Sequence, residues 1–321
     1  MSHAPGVSYA ASLQSIRTAR ERIAPHVHVT PILTSRTLDQ RAGRELFFKG
    51  ECFQRVGAFK VRGAMNAVLS LSGVDAERGV VTHSSGNHAQ ALALAAKTRN
   101  IAAHVVMPET APRVKRAAVE GYGARVVTCA PTLPAREETA NRVAQETGAV
   151  LIPPFDHPDV ISGQGTLALE ILEQVPELDA IVMPLGGGGM LSGVAIAGKA
   201  LKPSLRIIGV EPSGADEAAR SRKAGERIAL PAPKSVADGL LAGIGELTWP
   251  PVRDLADDVL VVDDDAILGA MRLVWERMKI VIEPSAATPV AALLERPELF
   301  GARRVAVVLS GGNVDLDALP F

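Results

Sequence analysis

Four short segments carry residue types that could do chemistry together. The first is Gln54-Arg55-Val56-Gly57-Ala58-Phe59-Lys60-Val61-Arg62-Gly63-Ala64, which sets Lys60 beside an aromatic residue where a helical pattern begins. A lysine desolvated there loses proton affinity and can serve as a Schiff-base nucleophile. The plainer alternative is a surface lysine in the first turn of a helix. The second, Thr82-His83-Ser84-Ser85-Gly86-Asn87-His88, is another strand end that leads into a helix, and its plainer alternative is an ordinary cap, which Ser- and Asn-rich residues make well. The third, Gly186-Gly187-Gly188-Gly189, lies between a strand ending at Leu185 and a helical pattern from Met190 to Leu201. Bare backbone amides at a helix start form an anion cradle, phosphate above all. The same glycines could instead serve only a tight turn. The fourth, Ser310-Gly311-Gly312-Asn313, follows another strand close to the C-terminus.

These segments need a frame. Gly79 to Thr82, Ala103 to Met107, Arg125 to Cys129, Ala180 to Leu185, Arg206 to Glu211 and Arg303 to Leu309 read as short buried strands, with amphipathic alanine-rich helices between them. That alternation predicts open, mostly parallel sheets covered by helices, with ligands at the carboxyl ends of the strands. The length of 321 residues suits two domains or one large α/β unit. The proline-rich Ile152 to Pro158 stretch is a candidate crossing between domains.

Composition narrows the partner. With 34 basic and 35 acidic side chains, 3% aromatic residues and no long basic run, the chain lacks the electrostatic footprint for nucleic acid or an anionic membrane surface. No apolar run approaches the ~18 residues of a bilayer span. A small molecule is the expected partner. Cys52 and Cys129 show no metal-ligand spacing, and the polar start Met1-Ser2-His3-Ala4-Pro5 is unlike a signal peptide, so a cytoplasmic location is expected. From another class, a nicotinamide-dependent oxidoreductase would use the glycines and Glu211 as a dinucleotide site. The fingerprint fails, because its last position falls on Leu191 or Ser192.

Taken jointly, Ala-Phe-Lys, Ser-Ser-Gly-Asn-His, the tetraglycine loop, Glu211-Pro212, Ala237-Asp238-Gly239, Glu283-Pro284 and Ser-Gly-Gly-Asn resemble, in order, the fold-type II pyridoxal-phosphate enzymes of the serine racemase and serine/threonine dehydratase family. The likeness runs from about Ile16 to the end. It implies a tryptophan synthase β-like fold of two sheets with the cofactor between domains. Residues 1–55 and 157–321 would form the large domain and 56–156 a small mobile one. Carried over to this sequence, Lys60 would bind pyridoxal 5'-phosphate as a Schiff base and remove the substrate α-proton. Phe59 would pack beside the ring and Asn87 would bond its phenolic oxygen. Gly186, Gly187, Gly188, Gly189 and Met190 would hold the phosphate, and Ser310 would face the pyridine nitrogen.

By the same resemblance the substrate carboxylate would meet Ser84, Ser85, Gly86, Asn87 and His88. Ser85 is serine where plain threonine dehydratases have alanine, so it could act as a second base on the face opposite Lys60. Arg136 aligns with an arginine that can reach the second carboxylate of a diacid, while Phe155 offers an apolar contact at the same mouth. Glu211, the carbonyl of Ala215 and Glu217 resemble a divalent-cation loop suited to Mg2+, or to Ca2+ or Mn2+. The family more often has aspartate where Glu217 stands, and often serine where Ala58 stands. The activity expected first is an ammonia-lyase that dehydrates L-serine or L-threonine to 2-oxo acid and ammonia, with accompanying racemisation. The alternatives are a 3-hydroxyaspartate dehydratase and a predominant racemase. A homodimer is the assembly the family suggests.

Overall fold

The structure, a computed structural model, describes residues 8–111 and 113–319. Ten strands are present among them: β1 (Ile32–Leu33), β2 (Glu45–Gly50), β3 (Val80–His83), β4 (Ala103–Pro108), β5 (Arg125–Cys129), β6 (Val150–Leu151), β7 (Ala180–Pro184), β8 (Arg206–Pro212), β9 (Asp258–Val262) and β10 (Arg304–Leu309). Six form one sheet in the order β1-β2-β10-β7-β8-β9, and four form a second, β5-β4-β3-β6. All neighbours are parallel except β1 and β2. Two mostly parallel sheets flanked by helices are thus what the sequence pattern predicts and what the molecule has.

The apolar runs are long because both faces of each sheet are covered. Along β7, Ile181 and Met183 enter the core on one face with Ala306 and Val308 of β10. Ala180 and Val182 enter the core on the other face with Val305, Val307 and Leu309. Alternation with period two is therefore present but hidden, since neither face meets water. The smaller sheet divides likewise, with Val80, Val105 and Met107 on one side and Val81 and Val106 on the other. The predicted strands are found within one or two residues of their expected ends. Sequence reading missed β1, β2, β6 and β9: two are only two residues long, and β2 hides a fully buried Lys49 that breaks the apolar pattern.

Three helices set the distance between the segments of interest. Helix Pro158–Gln174 lies between helix Lys60–Ser70 and helix Gly189–Leu201, and glycines permit the close approach. A Cβ at Gly163 would stand 2.5 Å from the Arg62 carbonyl oxygen, and one at Gly193 would stand 2.3 Å from that of Ile161. Either substitution would force the backbones apart. The helix that begins at Lys60 and the helix that begins at the glycine loop are therefore seated on one common helix.

Candidate active site

Lys60 is the first residue of its helix, and the chain leading to it is held by the C-terminal loop. The Phe59 N–H donates to the Ser310 carbonyl (3.0 Å), the Gly312 N–H donates to the Gly57 carbonyl (2.9 Å), and Ala58 bridges Gly311. Val56 and Gly57 both have left-handed backbone (φ 56° and 68°). For the β-branched Val56 this conformation is strained, and it persists only because its surroundings fix it. The Asn313 carboxamide does so by donating to the Val56 carbonyl (2.7 Å) and to Asn87 Oδ1 (2.8 Å). A Cβ on Gly57 would lie 2.7 Å from Asn313 Oδ1.

Lys60 Nζ donates to the Pro154 carbonyl (2.9 Å) and lies 5.1 Å from the centre of the Phe59 ring. Burial lowers its pKa to about 8, against the opposing pull of the Glu283 charge. A substantial neutral fraction near pH 8 suits a nucleophile and a base. Glu283 itself is buried and accepts from Asn87 Nδ2 at 2.9 and 3.2 Å. Burial raises its carboxyl to about 7. His88 Nε2 donates to the Ile152 carbonyl (3.2 Å), and burial first, then the Lys60 charge, push its pKa down to about 3. It is a neutral imidazole at working pH.

Ser84 to Asn87 are half-buried at the carboxyl end of β3, where helix Asn87–Arg99 begins. The residue capping that helix is Gly86, which has no side chain to cap it; its N–H donates to the Ser84 hydroxyl (3.3 Å). Among the described residues the Ser85 hydroxyl makes no hydrogen bond, so it does not serve as a cap.

The glycine loop is pressed from both sides. A Cβ at Gly187 would fall 2.4 Å from the Phe155 ring, and only Gly188 takes left-handed backbone (φ 86°). Thr248 Oγ1 donates to the Gly187 carbonyl (2.8 Å) and accepts from the Gly245 N–H (2.9 Å). The Asp156 carboxylate receives the N–H groups of Glu246 (3.0 Å), Leu247 (2.9 Å) and Thr248 (3.2 Å). Pro154 and Phe155 are consecutive, so a single turn of chain joins the Lys60 amine to the glycine loop. The Met190 side chain is buried in the core, which leaves only its backbone N–H for an anion at the helix start.

The remaining expected residues sit on other elements. Arg136 sits on helix Leu133–Thr147, close enough to His83 and Cys129 for its charge to bear on both, and its Nε is buried without a hydrogen-bond partner among the described residues. Glu211 accepts from the N–H groups of Ala218 (3.1 Å) and Ala219 (2.9 Å), capping helix Glu217–Ala224. Glu217 Oε1 accepts from the Ile244 N–H, and its Oε2 is buried with no partner among the described residues. The two carboxylates touch: burial first, and then the Glu217 charge, raises Glu211 to about 9, while burial raises Glu217 against the opposing effect of its contact with the protonated Glu211.

The site therefore joins Phe59, Lys60, Asn87 and Ser310 to the glycine loop, with Ser84 to His88 at its edge, and Glu217 reaches the same loop through Ile244. Site assignment from sequence left out Glu283, Asn313, Pro154, Asp156 and Thr248. The first two carried a signal: an acid before Pro284 at a helix start, and the amide closing Ser-Gly-Gly-Asn. The other three act through backbone or loop contacts that no motif reveals.

Comparisons with known proteins identify the family of the chain. Residues 23–311 match the family model described as pyridoxal-phosphate dependent enzyme. The chain is 53% identical over 316 residues to serine racemase from Arabidopsis thaliana, covering 97% of this chain and 96% of that protein. It is 49% identical over 313 residues to β-hydroxyaspartate dehydratase from Paracoccus denitrificans, covering 98% and 99%. The solved structure of maize serine racemase superposes with a TM-score of 0.95 at 51% identity, covering 96% of this chain and 95% of that one. The chain belongs to the fold-type II pyridoxal-phosphate-dependent enzymes, in the serine racemase and serine/threonine dehydratase family.

Proposed function

We propose that the chain is an amino-acid racemase, with serine as its first substrate, that also eliminates water from 3-hydroxy-α-amino acids. The observation that carries this reading is Ser85, whose hydroxyl is spent on no cap or hydrogen bond among the described residues. Sequence reading put elimination first; the relatives named serine racemase support the other order.

The cofactor, when bound, supplies the electron sink that stabilises a carbanion at the substrate α-carbon. This chain's residues would do the rest. Lys60 would hold the cofactor and, once released by substrate, take the α-proton at Nζ. Ser85 Oγ would exchange a proton on the other face, which inverts the centre. Backbone N–H groups of Ser84 to His88 would hold the substrate carboxylate at a helix N-terminus. Gly186 to Gly189 and the Met190 N–H would receive the phosphate, and Asn87 and Ser310 would meet the ring. A hydroxyl at Ser310 cannot keep a ring nitrogen protonated as a carboxylate does, which favours fast loss of the β-hydroxyl over prolonged ring chemistry. Closure of residues 56–156 over the substrate would exclude water.

A divalent cation, Mg2+ first, fits the Glu211, Ala215 and Glu217 group. Two buried carboxylates in contact, one with an unpartnered oxygen, need a cation or a proton. Its role would be structural, since the group lies outside the reacting atoms.

A second reading, 3-hydroxyaspartate dehydratase, is favoured by the buried Nε of Arg136, unpaired among the described residues, which suits a second carboxylate. The relative of that name supports it.

The test is a product assay on L-serine, D-serine, L-threonine and the threo and erythro 3-hydroxyaspartates, following both enantiomer and oxo acid. Wild type should interconvert the serines and release some oxo acid, and Lys60→Ala should do neither. Ser85→Ala should lose racemisation by about 10²–10⁴-fold, the usual worth of a positioned acid or base, while still forming oxo acid. Undiminished racemisation in Ser85→Ala would overturn the two-base reading. Rapid turnover of hydroxyaspartate alone would establish the second.

A further inference from the structure

Behind Lys60 lies a buried ion cluster that the reaction does not use. Arg62 Nε and Nη2 donate to Glu51 Oε2 (2.8 Å) and Oε1 (2.9 Å), and its Nη1 and Nη2 donate to Glu170 Oε1 (2.6 Å) and Oε2 (2.9 Å). Lys49 Nζ donates to Glu170 Oε2 (2.8 Å), Gln174 Oε1 (2.8 Å) and the Thr30 carbonyl (2.7 Å). Arg62, Glu51 and Lys49 are fully buried. Two cations face two anions, and each fork of the guanidinium meets a carboxylate in the bidentate geometry that fixes direction as well as distance.

Such a cluster is a poor way to gain stability. Desolvation offsets most of the attraction, and well-packed apolar side chains of equal volume commonly do as well. What apolar contacts do not supply is direction, and here direction matters. Lys60 and Arg62 are two residues apart, about 200° around the helix at ~100° per residue, so their side chains leave opposite sides. Glu51 follows the end of β2, and Glu170 belongs to helix Pro158–Gln174, on which the glycine loop's helix is also seated. Rotating helix Lys60–Ser70 about its axis would swing Lys60 across the site and would break the four Arg62 bonds at once.

Resting on the assignment of Lys60 as the cofactor lysine, we propose that Arg62 is a positioning residue for this enzyme: its double fork to Glu51 and Glu170 sets the rotation of the Lys60 helix and hence the reach of the amine. Arg62 touches neither substrate nor cofactor, so its effect passes through Lys60.

The experiment uses holoenzyme reconstituted with pyridoxal phosphate and the variant Arg62→Met with Glu51→Gln, which removes the fork but leaves Lys49 balanced by Glu170. Expected are a kcat lower by about 10–100-fold, the scale of a misplacement near 1 Å, and a KM little changed. The pH midpoint of the visible band of the lysine-bound cofactor should shift, while the cofactor-free protein melts close to wild type. Arg62→Lys, which keeps the charge but not the fork, should show the same loss of kcat and the same shifted midpoint, and it decides the matter if the double variant does not fold. Wild-type kcat and band midpoint in these variants, whatever their melting temperature, would overturn the proposal. A wild type that shows no cofactor on Lys60 after borohydride reduction and peptide mapping would instead overturn the assignment on which it rests.

Discussion

Two buried charged clusters in this molecule make opposite use of the same expensive material. The one behind Lys60 is closed: Lys49 and Arg62 face Glu51 and Glu170, and every carboxylate accepts from a cation. The one beside the glycine loop is open: Glu211 and Glu217 face each other, backbone N–H groups satisfy part of their capacity, and Glu217 Oε2 has no partner among the described residues. A buried charge must be neutralised by something. The closed cluster supplies its own counter-charges and so acts as internal support, whereas the open one is complete only with a ligand or a proton. It also lies near the glycine loop, since the residue that Glu217 holds, Ile244, has its Cδ1 where a Cβ on Gly188 would approach within 3.0 Å.

Breaking the closed cluster on one side should have the largest effect. Arg62→Ala leaves Glu51 and Glu170 with Lys49 alone, and denaturant unfolding should show a loss of about 3–5 kcal/mol. A loss under about 1 kcal/mol would mean that water or a neighbour closes the gap, and the contrast between the clusters would fail.

The open cluster should respond to a cation instead. Mg2+ at 100 times its Kd should stabilise the protein by about 2.7 kcal/mol in a thermal or denaturant scan. The pH dependence has a definite sign. Glu211 titrates at about 9 in the fold against an ordinary 4.5, so the native state keeps a proton that the unfolded chain releases. Cation-free stability should therefore fall as pH rises from 4.5 toward 9, and the increment from Mg2+ should grow across the same window. Glu217→Gln puts an amide donor next to Glu211, and should raise cation-free stability at pH 8 while abolishing the Mg2+ response. An undiminished response in that variant would place the cation elsewhere.

Lys60 stands between these extremes, a lysine whose hydrogen bond is to a carbonyl and not a carboxylate. Its pKa is lowered from 10.5 to about 8, so below pH 8 the native state carries a charge that burial disfavours. Stability should rise as pH climbs from 8 toward 10.5, and Lys60→Met should flatten that rise. At pH 7 the cofactor-free variant should be more stable by about 1 kcal/mol, a modest gain because the amine is only partly shielded from water. Equal stability of the two proteins across that range would show that the amine is not held against a cost.

Much of this was legible in the chain itself. The β7 and β10 runs are apolar throughout because the sheet is covered on both faces, and Gly186 to Gly189 stand where a strand must turn into a helix without side chains. Ser-Ser-Gly-Asn-His and Ser-Gly-Gly-Asn likewise end strands whose position the pattern fixes. Other features carried no local signal. Lys49 interrupts an apolar strand, which hid β2, and its side-chain partners Glu170 and Gln174 lie over 100 residues away on helix Pro158–Gln174.

Residue type and short-range order thus determined the sheets, the turns and the amine, because hydrophobic period and glycine spacing are properties of neighbours in sequence. Tertiary structure alone decided which charges are paired and which are not. That depends on what distant segments bring within hydrogen-bonding distance: Glu51 and Glu170 to Arg62, Asn313 to Asn87, Ile244 to Glu217, and, among the described residues, nothing to Glu217 Oε2.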